Sequence, residues 1–210
     1  MEEKRLTDEK YYYTITYGCQ MNENDTERIN GQLEDLGYKP AENMEDADIV
    51  IMNTCSVRQN AEEKVYGKIG EIKKLKDKNP RMLLGIAGCM AQENKGKLIE
   101  RMPIIDFVIG PYHIHDLKDI ISRENARGGH IVKTERNPHS VRDYSELRSV
   151  RKSRVFAWIP IMQGCNKFCT YCIVLTCGDG KSAVPSMISA GKSKDWQKRD
   201  TRKLPFWGRT

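Results

Sequence analysis

Apolar positions along the first 124 residues switch repeatedly between two periods. Residues 11–17, Tyr-Tyr-Tyr-Thr-Ile-Thr-Tyr, are β-branched and aromatic and predict a strand ending at Gly18-Cys19. From about Asn24 the spacing turns helical, with Ile29, Leu33 and Leu36 on one face and Gly37 as a natural stop. Asp48 to Met52 predicts a second strand, running into Asn53-Thr54-Cys55. Val57, Ala61, Val65, Ile69, Ile72 and Leu75 then mark a long amphipathic helix, closed by Asn79-Pro80. Leu83 to Ala87 predicts a third strand, leading into Gly88-Cys89-Met90. A helix over 90–101, a short strand at 106–109 and a helix near 113–123 complete the series.

Strand and helix alternating at this spacing predict an α/β fold, a mainly parallel sheet with flanking helices. Residues 125–154 break the pattern. They are polar and charged, with Gly128-Gly129, Asn137-Pro138 and a basic run from Arg148 to Arg154, and read as a linker holding at most a short strand at His130-Ile131-Val132. Val155 to Ile161 is apolar again and predicts the first strand of a second domain.

Composition narrows the classes. The chain has 210 residues and a net charge of +6. Residues 175–210 hold eight Lys or Arg against three Asp, so nearly all of that charge sits in the tail and argues poorly for specific RNA binding. No apolar run reaches the length of a membrane span, and the charged start at Met1–Lys10 lacks the apolar core of a secretory signal. Seven cysteines without an export signal point to metal or catalytic chemistry in a reducing cytosol.

Six of the seven cysteines fall in two sets. Cys19, Cys55 and Cys89 each lie just past the C-terminal end of one of the first three strands. In an open parallel sheet those ends share one edge, where ligands bind. Buried structural cysteines are the bland alternative, but they leave the repeated placement beside Gly18, Thr54 and Gly88 unexplained. Cys165, Cys169 and Cys172 form a C-x3-C-x2-C loop with Tyr171 before the third thiol. Iron–sulfur clusters ordinarily take four cysteines, so three suggest an iron left open for chemistry. Zinc sites pair their ligands differently, with a second distant pair, although zinc and chance spacing remain the competing readings. His113-Ile114-His115 reads as surface rather than a metal pair. No G-x-G-x-x-G or Walker pattern occurs, so nucleotide binding by a Rossmann-type site has no motif support.

With both sets in view, Tyr17-Gly18-Cys19-Gln20-Met21-Asn22, Asn53-Thr54-Cys55-Ser56-Val57-Arg58, Gly88-Cys89-Met90-Ala91-Gln92 and the Cys165 loop resemble the methylthiotransferase family of radical S-adenosylmethionine (SAM) enzymes. The likeness spans roughly residues 10–174 and is nearest to the MiaB type, which acts on tRNA. The resemblance implies a Rossmann- or flavodoxin-like methylthiotransferase domain, followed here by only the start of a radical SAM (β/α) barrel. It implies two [4Fe-4S] clusters, one on Cys165, Cys169 and Cys172 that cleaves SAM, and an auxiliary one on Cys19, Cys55 and Cys89 that carries the sulfur. Tyr171 would help hold the SAM adenine. The implied substrate is N6-isopentenyladenosine next to the tRNA anticodon, converted to its 2-methylthio derivative in the cytoplasm, with flavodoxin or ferredoxin as electron donor and no membrane partner. Relatives acting on threonylcarbamoyl-adenosine or on a ribosomal protein, a stand-alone iron–sulfur electron-transfer module and a zinc-stabilised RNA-binding protein are the alternatives.

After Val174 the family pattern stops. Residues 175–210 contain no Glu, show no sustained period and carry Trp196 and Trp207. Codons allowed for Asp200 to Thr210, read two nucleotides on, spell Y-K-E-I-T-L-L-G-Q-N, and 175–185 recode to P-Y-V-R-G-R-E-V-S-R-P, both family-like. A frameshift near Val174 is therefore expected, which makes Cys177 incidental and the chain an inactive copy. The expected organisation is 1–124 as the methylthiotransferase domain, 125–154 as linker, 155–174 as the start of the SAM domain and 175–210 as an irregular tail.

Overall fold

The computed structural model describes residues 9–56, 59–127, 129–135, 147–151, 157–163, 182–183 and 206–208. Strand β1 (Lys10–Tyr17) leads into helix α1 (Gln20–Asp35), followed by β2 (Tyr38–Pro40) and β3 (Ile49–Thr54). Helix α2 (Gln59–Lys78), β4 (Leu83–Gly88), α3 (Cys89–Asn94), α4 (Lys97–Arg101) and β5 (Phe107–Ile109) come next. A 3-10 turn over Pro111–Asp116 precedes α5 (Leu117–Arg127) and β6 (Ile131–Lys133).

These six strands form one sheet in the order β2-β1-β3-β4-β5-β6, and every neighbouring pair is parallel. The α/β expectation is met. A parallel sheet is covered on both faces, so its central strands read as continuous apolar runs. In β3, Val50 and Met52 join the cluster formed with Val65, Ile69 and Ile72 of α2 and with Leu98 of α4. Ile49 and Ile51 point the other way, into the cluster with Ile29 and Leu33 of α1 and Ile120 and Ile121 of α5. Among the described residues, no helix is long and apolar enough to cross a membrane.

Several details depart from the pattern. α1 begins four residues earlier than the helical spacing read from Asn24, with Cys19 at its N-cap. The three-residue β2 pairs with β1 at the sheet edge and is too short to show a period. The helix expected over 90–101 is two helices, parted where Lys95 takes φ 49°. The strand expected inside 125–154 is β6, hydrogen-bonded along β5.

Strand β7 (Ile159–Gln163) heads a second small sheet with β8 (Ser182–Ala183) antiparallel and β9 (Phe206–Gly208) parallel to it. The tail read as irregular thus supplies two short strands. Backbone groups along a single strand need partners, and β8 and β9 provide them. Val155 and Phe156, at the start of the expected strand, lie outside the described residues, as do Cys165, Cys169, Tyr171, Cys172 and Cys177.

Candidate functional site

Tyr17 of β1 pairs with Thr54 of β3, and Thr54 pairs with Gly88 of β4. Cys55 and Cys89 therefore hold equivalent positions one residue past adjacent strand ends, and Cys19 follows two residues past Tyr17. Neighbouring strands stand about 4.8 Å apart, so the three backbones form one short row along the carboxyl edge. Strand order reverses between β1 and β3, the switch point where open α/β sheets bind ligands. Cys19 and Cys55 flank that point.

Each cysteine is set by a different local device. Cys19 caps α1, with the Asn22 N–H donating to its carbonyl at 2.9 Å and its own N–H donating to Asn22 Oδ1 at 3.2 Å. A side chain at the third helical position reaching back to the N-cap N–H is half of a capping box. Cys55 follows β3, whose six residues are all buried. Cys89 opens α3 directly after Gly88, which sits at φ 96°. A Cβ on Gly88 would stand 2.3 Å from the Thr54 carbonyl oxygen, so both the backbone angle and the approach to β3 require glycine there.

Beneath this row lies a polar network that sequence reasoning did not identify as a unit. Asn22 Nδ2 donates to Asn53 Oδ1 at 3.0 Å and to the Thr54 carbonyl at 3.2 Å. Asn53 Nδ2 returns bonds to the Asn22 carbonyl at 2.8 Å and to Thr26 Oγ1 at 3.1 Å. Thr26 in turn shares a 2.9 Å hydroxyl contact with Thr16 of β1, and Thr54 Oγ1 donates to the Ala87 carbonyl at 2.8 Å. The strand ends that carry the cysteines are thereby stitched side by side. The available signal in the sequence is Asn53 itself, a polar residue closing an apolar strand.

Cys55 and Cys89 are buried, Cys19 is exposed, and all three are thiols. Cys19 Sγ lies 3.3 Å from Asn22 Oδ1, a bond in which the S–H donates. A ligating thiolate has no proton to give, so this bond is lost when Cys19 takes up a metal. Among the described residues, no three His, Cys, Asp or Glu side chains converge closely enough to hold a metal ion. The row fits an iron–sulfur cluster in donor chemistry and in backbone placement.

The same edge continues past β5. His113 Nδ1 is 2.9 Å from Asp116 Oδ2 and its Nε2 is 2.9 Å from the Glu135 carbonyl, while Lys133 Nζ donates to Asp116 at 3.1 Å. The surface reading holds for His115, but the His113 side chain is largely covered by these partners. Burial opposes ionisation of Asp116. The hydrogen bonds from His113 and Lys133 outweigh it and hold the carboxyl below its ordinary value.

The chain matches the family described as "Uncharacterized protein family UPF0004" over residues 11–110. It is 52% identical over 163 residues to a tRNA-2-methylthio-N(6)-dimethylallyladenosine synthase of Dictyoglomus thermophilum, covering 78% of this chain and 37% of that protein. Synthases of the same name from Carboxydothermus hydrogenoformans (44% over 168 residues; 79% and 38% covered) and Bacillus subtilis (39% over 188; 88% and 36%) are also similar. The chain spans little more than a third of the length of these curated relatives.

Proposed function

We propose that the chain, which matches the UPF0004 family over residues 11–110, carries the sulfur-donor half of a radical SAM tRNA methylthiotransferase. The observation that carries this reading is the row of Cys19, Cys55 and Cys89 across the β1–β3 switch point. These three would hold the auxiliary [4Fe-4S] cluster, and Cys165, Cys169 and Cys172 the SAM-binding one, with Tyr171 against the adenine. When bound, the clusters and SAM supply a radical and the sulfur and methyl groups for C2 of N6-isopentenyladenosine, a substrate matching the names of the similar synthases. The protein's own part is positional: Gly88 and the Asn22–Asn53 pair keep the strand ends together. A cytosolic setting with tRNA as partner and flavodoxin or ferredoxin as reductant goes with this chemistry. A frameshift after Val174 that leaves the chain an inactive copy belongs to the same reading, and resequencing that DNA tests it.

Anaerobic reconstitution with iron and sulfide, followed by metal counting, tests the ligand sets. About eight irons per chain are expected, and about four after replacing either trio by Ala. A chain that fills with zinc, or keeps its full iron after Cys19, Cys55 and Cys89 are replaced, overturns the assignment. Four irons that do not depend on Cys165 would instead mark a single-cluster electron-transfer module.

A further inference from the structure

α1 is buried almost all round. Beside its apolar positions Ile29 and Leu33, the polar residues Asn24, Asp25, Thr26, Glu27, Arg28, Asn30 and Gln32 are also covered. Only one stripe of this helix faces the sheet, so something must lie along the other. The described residues show part of it. The Val150 N–H donates to the Glu27 carbonyl at 2.8 Å. Arg148 reaches Glu34 at 2.8 Å and Asp35 at 3.4 Å. Asn24 Nδ2 donates to the Trp158 carbonyl at 3.0 Å.

A mid-helix carbonyl is normally screened by the side chain four residues on, because each Cβ tilts toward the helix N-terminus. Four residues past Glu27 stands Gly31. A Cβ built there would lie 2.0 Å from the Arg148 carbonyl oxygen and 2.7 Å from its carbon. Gly31 is thus a notch in α1 that admits a second backbone. The anchor points run backwards along the helix: Arg148 at Glu34, Asp35 and Gly31, Val150 at Glu27, Trp158 at Asn24. The chain enters at the far end of α1 and leaves at the end that Cys19 caps.

We propose that Gly31 and Asn24 are positioning residues, which dock residues 147–151 and Trp158 along α1 and so deliver the chain leading to Cys165 to the cysteine edge. Cys165 lies seven positions after Trp158, a reach of at most about 25 Å. The docking stands on these contacts alone. Its meaning for the Cys165 loop rests on the two-cluster reading above.

The sign of a glycine substitution in the full chain tests it. Alanine is a far better helix former than glycine, so an undocked α1 gains from Gly31→Ala. Gly67 in α2 is the control, since nothing stands within 4 Å of a Cβ placed there. Gly67→Ala should raise the folding equilibrium constant about two- to fivefold. Gly31→Ala should lower it about tenfold, because the new methyl displaces the Arg148 backbone. In a Trp196→Phe, Trp207→Phe background, both Gly31→Ala and Asn24→Ala should shift Trp158 emission to the red and roughly double its quenching by acrylamide. Docking is overturned if Gly31→Ala stabilises as Gly67→Ala does, or if neither variant alters Trp158. Iron content is read separately. A chain that shows both effects but binds no iron removes the cluster reading and leaves the docking in place, whereas one that loads both trios and treats Gly31→Ala like Gly67→Ala loses the docking alone.

Discussion

Asn22 uses its whole amide at the junction of β1 and β3, donating twice and accepting from Cys19. Replacing it by Ala leaves two buried acceptors, Asn53 Oδ1 and the Thr54 carbonyl, without these partners. Asn22→Ala should cost about 1–3 kcal/mol, read from urea unfolding, before any cluster is considered. Asp116 supplies a pH signature. Its folded pKa is lowered, so the unfolded chain binds the proton more readily at acid pH. The stability that Asp116 contributes is full above its unfolded value, near 3.9, and is lost as pH falls through the lower folded value. Asp116→Asn should therefore be less stable than the parent at neutral pH. The gap should close in acid; a gap that stays constant across the titration would deny the linkage.

Among elements, the break between α3 and α4 falls where Gln92 to Lys97 part Met90-Ala91 from Leu98-Ile99. Lys95 there takes φ 49° and ψ −131°, a backbone conformation that a lysine adopts only under strain. Lys95→Gly should raise thermal stability by about 1 kcal/mol, because the strain is relieved at a position that does not need helix propensity. A loss instead would mean that the lysine side chain holds the turn. α1 hides more. Its sequence reads as a helix with one apolar face and a solvated polar one. Burial of the polar face depends on residues more than a hundred positions later in the chain, to which a local period carries no information.

At the scale of the molecule, the carboxyl edge is a consequence of topology. A right-handed crossover is nearly obligatory between parallel strands, so α1 and α2 fall on opposite faces once the sheet order reverses at β1 and β3. That reversal sets β1, β3 and β4 side by side and makes neighbours of cysteines that lie far apart in sequence. Among the described residues, the beginning of the second sheet is tied to α1 through the Asn24–Trp158 bond.

The sequence by itself determined the strand–helix alternation, the apolar stripes of α1 and α2, and the placement of Cys19, Cys55 and Cys89 just beyond three strands. All of these are local, since side-chain period and strand termini are written within a dozen residues. Tertiary structure alone decided which strands adjoin, that Asn22 and Asn53 clasp the strand ends, that Cys19 Sγ meets Asn22 Oδ1, and that Gly31 receives a distant backbone. Those outcomes depend on long-range packing and on buried polar groups finding partners, and nothing in the neighbouring sequence encodes either.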